Sequence, residues 1–210
     1  MKVKKLRKII ALSCSPSKGF NSDNMLDAFL SGVDDVQKEV GESALIFEKI
    51  YLNDLEISNY SFFNRVPDPA KEPQFVQLVD KIVAADGVVI ATPTFNFGVP
   101  AALKNLLDRL SYKALDPKKI NWMGQPTGQL KNIRAYYLVT CGTPRFLQLM
   151  AFFLFPAFWL RVVFWYFGAK SWGSTYGAGL NAKNLAKDNL KLLTKCRRAG
   201  ARFALRQLNR

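Results

Sequence analysis

Residues 87–91 form a short, wholly apolar run, of the kind that central strands of parallel sheets show because both of their faces are buried. Apolar residues at helical spacing lie on either side of it, across 75–83 and 103–110. Parallel strands need helical crossovers between them, so this alternation predicts a doubly wound α/β sheet. Ligands are then expected beyond the carboxyl ends of the strands.

The same alternation continues through the rest of the chain. Further strands are predicted at 8–13, 44–50, 133–139 and 171–178, and further helices at 23–40 and 181–208. A length of 210 residues suits one α/β domain with a sizeable core and is short for two. We therefore predict a single domain over 1–210, with a basic tail at 1–7.

The composition excludes several kinds of chemistry. The chain has no histidine, which excludes Ser-His-Asp hydrolysis, histidine bases and the usual zinc sets, and no metal site is predicted. Its cysteines, Cys14, Cys141 and Cys196, are odd in number and lack Cys-x-x-Cys spacing, so neither a disulfide framework nor an iron–sulfur cluster is indicated. The apolar run after Lys8 is too short for a signal-peptide core, and we expect a cytoplasmic protein.

The charge is strongly positive. Net charge is +14, and the basic residues crowd the two ends of the chain. This balance favours anionic partners such as pyridine nucleotides, acidic lipids or nucleic acid, although a solvated basic helix face that aids solubility is the simpler explanation. No helix-turn-helix, RNA-recognition motif or zinc finger is recognisable, so we predict no nucleic-acid partner.

The segment 146–169 is strongly apolar and aromatic. It is long enough for a membrane span, but Gln148, Pro156 and Arg161 interrupt it, and a span here would remove the last strand from the sheet. We expect a core helix or a dimer interface, with a membrane-surface helix, and hence peripheral membrane contact, as the alternative.

Residues 13–22 read Ser-Cys-Ser-Pro-Ser-Lys-Gly-Phe-Asn-Ser and connect the first predicted strand to the first predicted helix. Hydroxyl and amide side chains, unpaired backbone N–H groups and the positive end of a helix dipole favour an anion there. The spacing fits neither the nucleoside-triphosphate loop nor the dinucleotide fingerprint, so a monophosphate is predicted. An ordinary helix cap and turn is the alternative.

A second motif begins at Pro93 and reads Pro-Thr-Phe-Asn-Phe-Gly-Val-Pro-Ala-Ala-Leu-Lys-Asn-Leu-Leu-Asp-Arg. With the two motifs in this order, the sequence resembles the flavodoxin-like NAD(P)H-dependent FMN, quinone and azo reductases. The resemblance extends over 8–142 and weakens over the aromatic segment and the last helix. It implies a five-stranded parallel sheet in the order 2-1-3-4-5, with helices on both faces.

The resemblance also implies which residues bind FMN. The phosphate loop would comprise Ser13, Ser15, Ser17, Lys18, Asn21 and Ser22, with Lys18 as the charge partner. The loop along the isoalloxazine would comprise Pro93, Thr94, Phe95, Asn96 and Phe97. The third loop, near the other side of the ring, would comprise Thr140, Cys141, Gly142 and Thr143.

The implied activity is hydride transfer from NADH or NADPH to FMN, followed by ping-pong reduction of a flavin, quinone, azo or nitro acceptor, in a homodimer or larger homo-oligomer. The flavin carries the chemistry, so no catalytic acid or base is predicted. Two departures from the family pattern are Phe95 in place of tyrosine and Cys14 in place of glycine, which requires a negative φ at Cys14. The alternative is a flavodoxin-type electron carrier, which the positive charge disfavours because such carriers are typically acidic.

Overall fold

A computed structural model describes residues 6–40, 44–144, 146, 156–182 and 185–210. Its strands in this part of the chain are β1 (Arg7–Ser13), β2 (Leu45–Tyr51), β3 (Gly87–Pro93), β4 (Leu115–Ile120), β5 (Pro126–Gly128), β6 (Arg134–Thr140) and β7 (Lys170–Gly177). Five of them form a parallel sheet in the order β2-β1-β3-β6-β7, and β4 pairs antiparallel with β5 outside that sheet. With this hairpin set aside, the predicted order 2-1-3-4-5 is confirmed.

Helices cover both faces of the sheet, as predicted. They are α1 (Asn21–Val40), α2 (Pro73–Ala84), α3 (Ala101–Ala114), α4 (Pro156–Tyr166) and α5 (Leu190–Leu208). Helices α1 and α5 enclose one apolar core against the sheet, and α2, α3 and α4 enclose another on the opposite face. Strand β3 lies between β1 and β6 and is buried almost throughout, which explains why its sequence is apolar at successive positions.

Most element boundaries shift by one or two residues from the sequence-based prediction, and two of the differences have a visible physical cause. The last helix begins at Leu190 and not at 181, because the side chain of Asn189 accepts the Leu192 N–H at 3.0 Å and so caps the helix there. Arg7, placed in the basic tail by the sequence, is the first residue of β1, and its guanidinium donates to the Asp86 carboxylate at 2.7 Å. Residues 1–5 of the predicted tail lie outside the described residues.

The polar connection after α3 forms the β4–β5 hairpin. Its turn is organised by Asn121, whose side-chain oxygen accepts the N–H groups of Met123 at 2.9 Å and Gln125 at 3.0 Å. Gly124 takes a positive φ of 73° in this turn. A local side-chain bond of this kind stabilises a turn without any hydrophobic alternation in the flanking sequence, so no strand was predicted here.

Part of the aromatic segment forms α4. Leu160 and Phe164 point into the core, so the core-helix interpretation is confirmed for this face, whereas Val162 and Trp165 are exposed. The dimer-interface and membrane-surface interpretations concern the exposed face and stay predictions. Residues 147–155 lie outside the described residues. In the part of the chain described, no helix combines the length and the apolar character needed to cross a membrane.

A buried ion pair anchors the long β2–α2 connection to α3. Arg109, which is fully buried, donates two hydrogen bonds to the Glu72 carboxylate, at 2.6 and 2.5 Å. It also donates to the backbone carbonyls of Ser58 at 3.0 Å and Asn64 at 3.2 Å. The hydrogen bonds from Arg109 lower the pKa of Glu72 to about 2. These bonds hold the β2–α2 connection against α3. The connection contributes no residue to the lining of the cavity described below.

Glu72→Gln is expected to lower the free energy of unfolding at neutral pH by about 3 kcal/mol, because it leaves the buried guanidinium without a countercharge. Since the folded-state pKa is depressed, the wild-type ion pair stabilises the fold above pH 4.5 and loses that stabilisation as the pH falls towards 2. Urea unfolding across this range should show a pH dependence that the variant lacks. Glu48→Gln, which removes an exposed partner of Lys81, is the matched control and should cost less than about 1 kcal/mol. Equal losses in the two variants would contradict the assignment.

Candidate functional site

A cavity of about 280 Å³ lies at the carboxyl ends of the strands. It brings together residues from all three predicted loops: Ser15, Asn21, Ser22, Pro93, Thr94, Phe95, Thr140, Cys141 and Gly142. The lining is completed by residues that the sequence did not single out: Pro16, Phe20, Leu180, Asn181 and Ala182. The remaining predicted site residues, which lie outside the lining, are Ser13, Ser17, Lys18, Asn96, Phe97 and Thr143.

Backbone hydrogen bonds that extend the sheet fix where each loop starts. The Cys14 N–H donates to the Ala91 carbonyl at 2.8 Å, and the Thr94 N–H donates to the Thr140 carbonyl at 2.7 Å. The Cys141 N–H donates to the carbonyl of Gly177, the last residue of β7, at 2.9 Å. The first residue after each of β1, β3 and β6 is therefore held by its neighbouring strand, and the three loops start side by side.

The first loop turns into α1 with its hydrogen bonds directed inward. The Ser15 hydroxyl accepts the Ser17 N–H at 3.3 Å, and the Asp23 carboxylate accepts the Gly19 N–H at 2.8 Å. Ser22 is buried in the first turn of α1, where backbone N–H groups have no acceptor within the helix. The loop therefore combines a compact backbone with the positive end of a helix, an arrangement that suits an anion.

The carboxylate of Asp23 beneath this loop is neutralised by Lys49, whose Nζ lies 2.7 Å from it. Burial acts to raise the pKa of Asp23, but the bonds from Lys49 and from the Gly19 N–H outweigh it and lower the pKa. The negative charge of Asp23 is thus balanced within the protein, and it does not oppose an anion bound at the helix terminus.

Several predicted phosphate ligands make other contacts in this structure. Lys18, predicted as the charge partner, pairs with Asp54 at 2.6 Å and lies over the ring of Tyr51, 4.7 Å from its centroid. Asn21 donates to the Ala182 carbonyl at 2.7 Å and accepts the Ala186 N–H at 2.9 Å. Asn21 therefore joins the first loop to the segment after β7, a contact between residues far apart in sequence.

Ser13 ends β1 and is buried behind the loop. The residue after it, Cys14, is also buried and is not among the residues with positive φ, so the cysteine in place of the family's glycine is accommodated without backbone strain. Burial raises the pKa of the Cys14 thiol, which disfavours the thiolate.

The second loop contains a tight and strained turn. Phe95 and Gly98 exchange two backbone hydrogen bonds, at 3.0 and 2.8 Å, and the two residues between them take positive φ, 48° at Asn96 and 63° at Phe97. Both central residues of a type I′ hairpin turn have positive φ, which asparagine tolerates and phenylalanine disfavours. Phe95 and Phe97 remain 48% and 63% exposed beside the cavity. A strained turn that presents aromatic side chains is typical of a functional loop.

Thr94 provides a direct test of whether a ligand fits. Its hydroxyl oxygen is buried in the protein, and among the described residues it has no hydrogen-bond partner although Thr94 lines the cavity. An unpaired buried hydroxyl costs free energy, so a polar ligand group that reaches Thr94 would satisfy it. The combination of an anion-binding helix terminus, an unpaired hydroxyl and an apolar wall at Phe95 suits a ligand with a phosphate and a flat, polar-edged ring.

The third loop is joined to the segment after β7. The Cys141 sulfur accepts the Thr143 N–H at 3.3 Å, and the Cys141 carbonyl accepts the Leu180 N–H at 2.9 Å. Cys141 is buried and serves a packing role here. Asn181 and Ala182 were missed because the sequence assigned 181–208 to a helix, and Leu180 lies between that helix and the predicted strand 171–178. Their position after the last strand, at the same sheet edge, was the available signal.

The family model for NADPH-dependent FMN reductase matches residues 7–130. An FMN-dependent NADH:quinone oxidoreductase from Thiobacillus denitrificans is 42% identical over 66 residues, which are 31% of this chain and 31% of that protein. One from Mycoplasma pneumoniae is 29% identical over 140 residues, 65% of this chain and 67% of that protein. The matched stretch thus spans about a third of the first of these relatives.

Among solved structures, an FMN-dependent NADH-azoreductase from Bacillus anthracis in complex with FMN superposes with a TM-score of 0.74. The alignment covers 94% of this chain and 100% of that chain, at 16% sequence identity. At this identity the likeness establishes a shared fold.

Asn21→Ala is expected to lower the free energy of unfolding by about 2 kcal/mol, because it removes the two side-chain bonds that join α1 to Ala182 and Ala186. Hydrogen exchange at 185–190 should accelerate as well. Asn24→Ala, on the same turn of α1, removes one exposed bond to the Gly19 carbonyl and is the matched control. If exchange at 185–190 were unchanged in Asn21→Ala, the bonds from Asn21 would not be what holds this segment against α1.

Proposed function

The chain belongs to the NADPH-dependent FMN reductase family, and from this membership we propose that it is an enzyme, an FMN-dependent oxidoreductase that oxidises NADH or NADPH and passes the electrons to a second acceptor. One observation carries the proposal: the first two loops of the cavity lie within the region that matches the family model, and they meet the third loop at one edge of the sheet.

The donor set of the cavity fits FMN. The first turn of α1 and Ser15 would hold the phosphate, and Thr94 would bond a polar atom of the isoalloxazine or ribityl chain through its unpaired hydroxyl. Phe95 would form an apolar wall. When bound, FMN supplies the hydride-transfer chemistry.

The protein's own contribution is to position the FMN and to exclude water from it. The strained turn at Asn96 and Phe97 fixes the backbone of the second loop, and buried Thr140 and Cys141 close the cavity floor. No side chain of the cavity needs to act as acid or base, which agrees with a sequence that lacks histidine.

For the acceptor we propose a quinone, an azo or nitro compound, or a flavin. Support comes from the relatives, which are NADH:quinone oxidoreductases, and from the shared fold with an azoreductase. Either pyridine nucleotide could serve as donor, and the chain's many cations provide partners for a 2′-phosphate.

We also propose a cytoplasmic homodimer or larger homo-oligomer. The exposed apolar side chains Val162 and Trp165 of α4 support such an interface, because association would remove them from water. Peripheral membrane contact through 146–169 would use the same side chains and is the competing use of this surface.

Purified protein is expected to bind FMN with a one-to-one stoichiometry, and the bound flavin should bleach within seconds when NADPH or NADH is added without oxygen. Absorbance spectroscopy before and after the addition makes the measurement. Bleaching without a partner reductase distinguishes the enzyme from a flavodoxin-type carrier. Protein that refuses FMN, or holds FMN that neither nucleotide bleaches, would contradict the proposed activity. Steady-state kinetics should show parallel reciprocal plots, as a ping-pong cycle requires.

Thr94→Val should weaken FMN binding about tenfold, because it removes one hydrogen bond to the ligand. The stability of the FMN-free protein should stay the same or rise slightly, since this hydroxyl has no partner within the described protein. Thr92→Val is the matched control: its hydroxyl donates to the Pro93 carbonyl at 3.0 Å and lies outside the cavity lining. That variant should lose stability and keep its FMN affinity. The opposite pattern in flavin titration and thermal melting would exclude Thr94 as a ligand.

A further inference from the structure

A cluster of arginines surrounds one tryptophan at the edge of the sheet opposite the flavin cavity. Trp172 is near the amino end of β7, and Arg134 is the first residue of β6. The guanidinium carbons of Arg134, Arg206 and Arg210 lie 5.8, 5.9 and 6.0 Å from the Trp172 ring centroid. Cations over an indole face are attracted to it, so the ring gathers three positive groups at one place.

A small cavity opens beside this tryptophan. Its volume is about 180 Å³, and it is lined by Tyr136, Trp172, Ala199, Arg202, Phe203 and Arg206. Arg202 and Arg206 are four residues apart, so they project from the same face of α5. At roughly 30 Å³ for each water, the cavity could hold about six waters, which is room for a phosphate group with a small substituent.

The positive charge of this cluster is not balanced by carboxylates. In the described residues, none of Arg134, Arg202, Arg206 and Arg210 forms an ion pair, and the nearby Asp86 carboxylate is bonded to Arg7. Arg134 donates to the carbonyl of Lys131, and Arg210 to that of Asn132.

The pKa of Arg210 agrees with this imbalance. Burial lowers the pKa of Arg210, the positive charges of Arg134 and Arg7 lower it further, and together they outweigh the Asp86 carboxylate, which acts to raise it. An anion bound beside these arginines would relieve their mutual repulsion.

A structural explanation covers only part of the cluster. Cations near the carboxyl end of a helix interact favourably with its dipole, which accounts for Arg206 and Arg210 at the end of α5. The helix dipole does not account for Arg134, which belongs to β6. Nor does it account for the cavity, whose wall includes Tyr136 of β6 and Trp172 of β7.

We propose that this cavity binds the phosphate group of a phosphate ester. Arg202 and Arg206 would hold the phosphate oxygens, and Trp172 would flank the substituent. The ester could be the headgroup of an acidic lipid or a small soluble molecule, since both present the same phosphate.

The site is separate from the flavin cavity and does not depend on the proposed activity. Binding is measured with the FMN-saturated protein in chloride buffer of constant ionic strength. One arm titrates glycerol 3-phosphate by calorimetry, and the other sediments phosphatidylcholine vesicles with and without phosphatidic acid. Two double variants are compared, Arg202→Gln/Arg206→Gln and Lys191→Gln/Lys195→Gln, which remove the same charge from the same helix.

Arg202→Gln/Arg206→Gln should weaken binding of at least one probe about tenfold or more, through loss of two charge-assisted bonds, whereas the lysine pair should change it less than about twofold. Vesicle binding alone would identify a lipid headgroup as the ligand, and glycerol 3-phosphate binding would identify a soluble ester. Equal losses of binding in the two variants would show that binding depends only on the general positive charge of the helix, which would overturn the proposed site. So would unchanged binding of both probes in the arginine variant. Thermal melting checks that both variants are folded, and the intact flavin spectrum separates this result from any failure of the FMN assignment.

Discussion

The pairing of β3 with β1 on one side and β6 on the other is the constraint on which the rest of the structure depends. It aligns Ser13 with Ala91 and Pro93 with Thr140, so neighbouring strands finish at the same edge. Because the hydrogen bonds continue one residue beyond the strands, the loops leave the sheet in fixed positions. The sheet thereby brings together, in one cavity, three loops that are far apart in the sequence.

The cavity keeps polar groups and backbone conformations that folding alone would not favour. The buried hydroxyl of Thr94 has no partner among the described residues, and Phe97 occupies a backbone region that costs a bulky residue about 1–2 kcal/mol. Both persist because the surrounding sheet and the Phe95–Gly98 bonds fix the loop. Elsewhere buried charge is paired: Arg109 donates two hydrogen bonds to the Glu72 carboxylate, although its Nε has no partner among the described residues. The buried hydroxyl of Thr94 and the strained backbone of Phe97 thus lie in the same loop, where a ligand is expected.

The sheet and the three loops could be predicted because they depend on local patterns. Short apolar runs, helical spacing and the order of two motifs are all visible in sequence. What could not be predicted depends on contacts between distant residues: Asn21 bonds to Ala182 and Ala186, and Lys18 pairs with Asp54. The start of α5 was misplaced because the cap at Asn189 competes with a continuous helical pattern of apolar residues. The turn of the β4–β5 hairpin is organised by the side chain of Asn121, and a single residue gives no periodic pattern in the sequence.

The two ends of the sheet present different groups to a ligand. The carboxyl end presents a helix terminus, hydroxyl groups and aromatic side chains, and the amino end presents guanidinium groups around an indole. We propose that the loops at the carboxyl end form one FMN site, and hydrogen–deuterium exchange with and without FMN would test this. FMN should slow exchange together in 15–22, 94–98 and 140–143, while 199–206 is unaffected. Protection confined to one loop, or absent from all three, would contradict it.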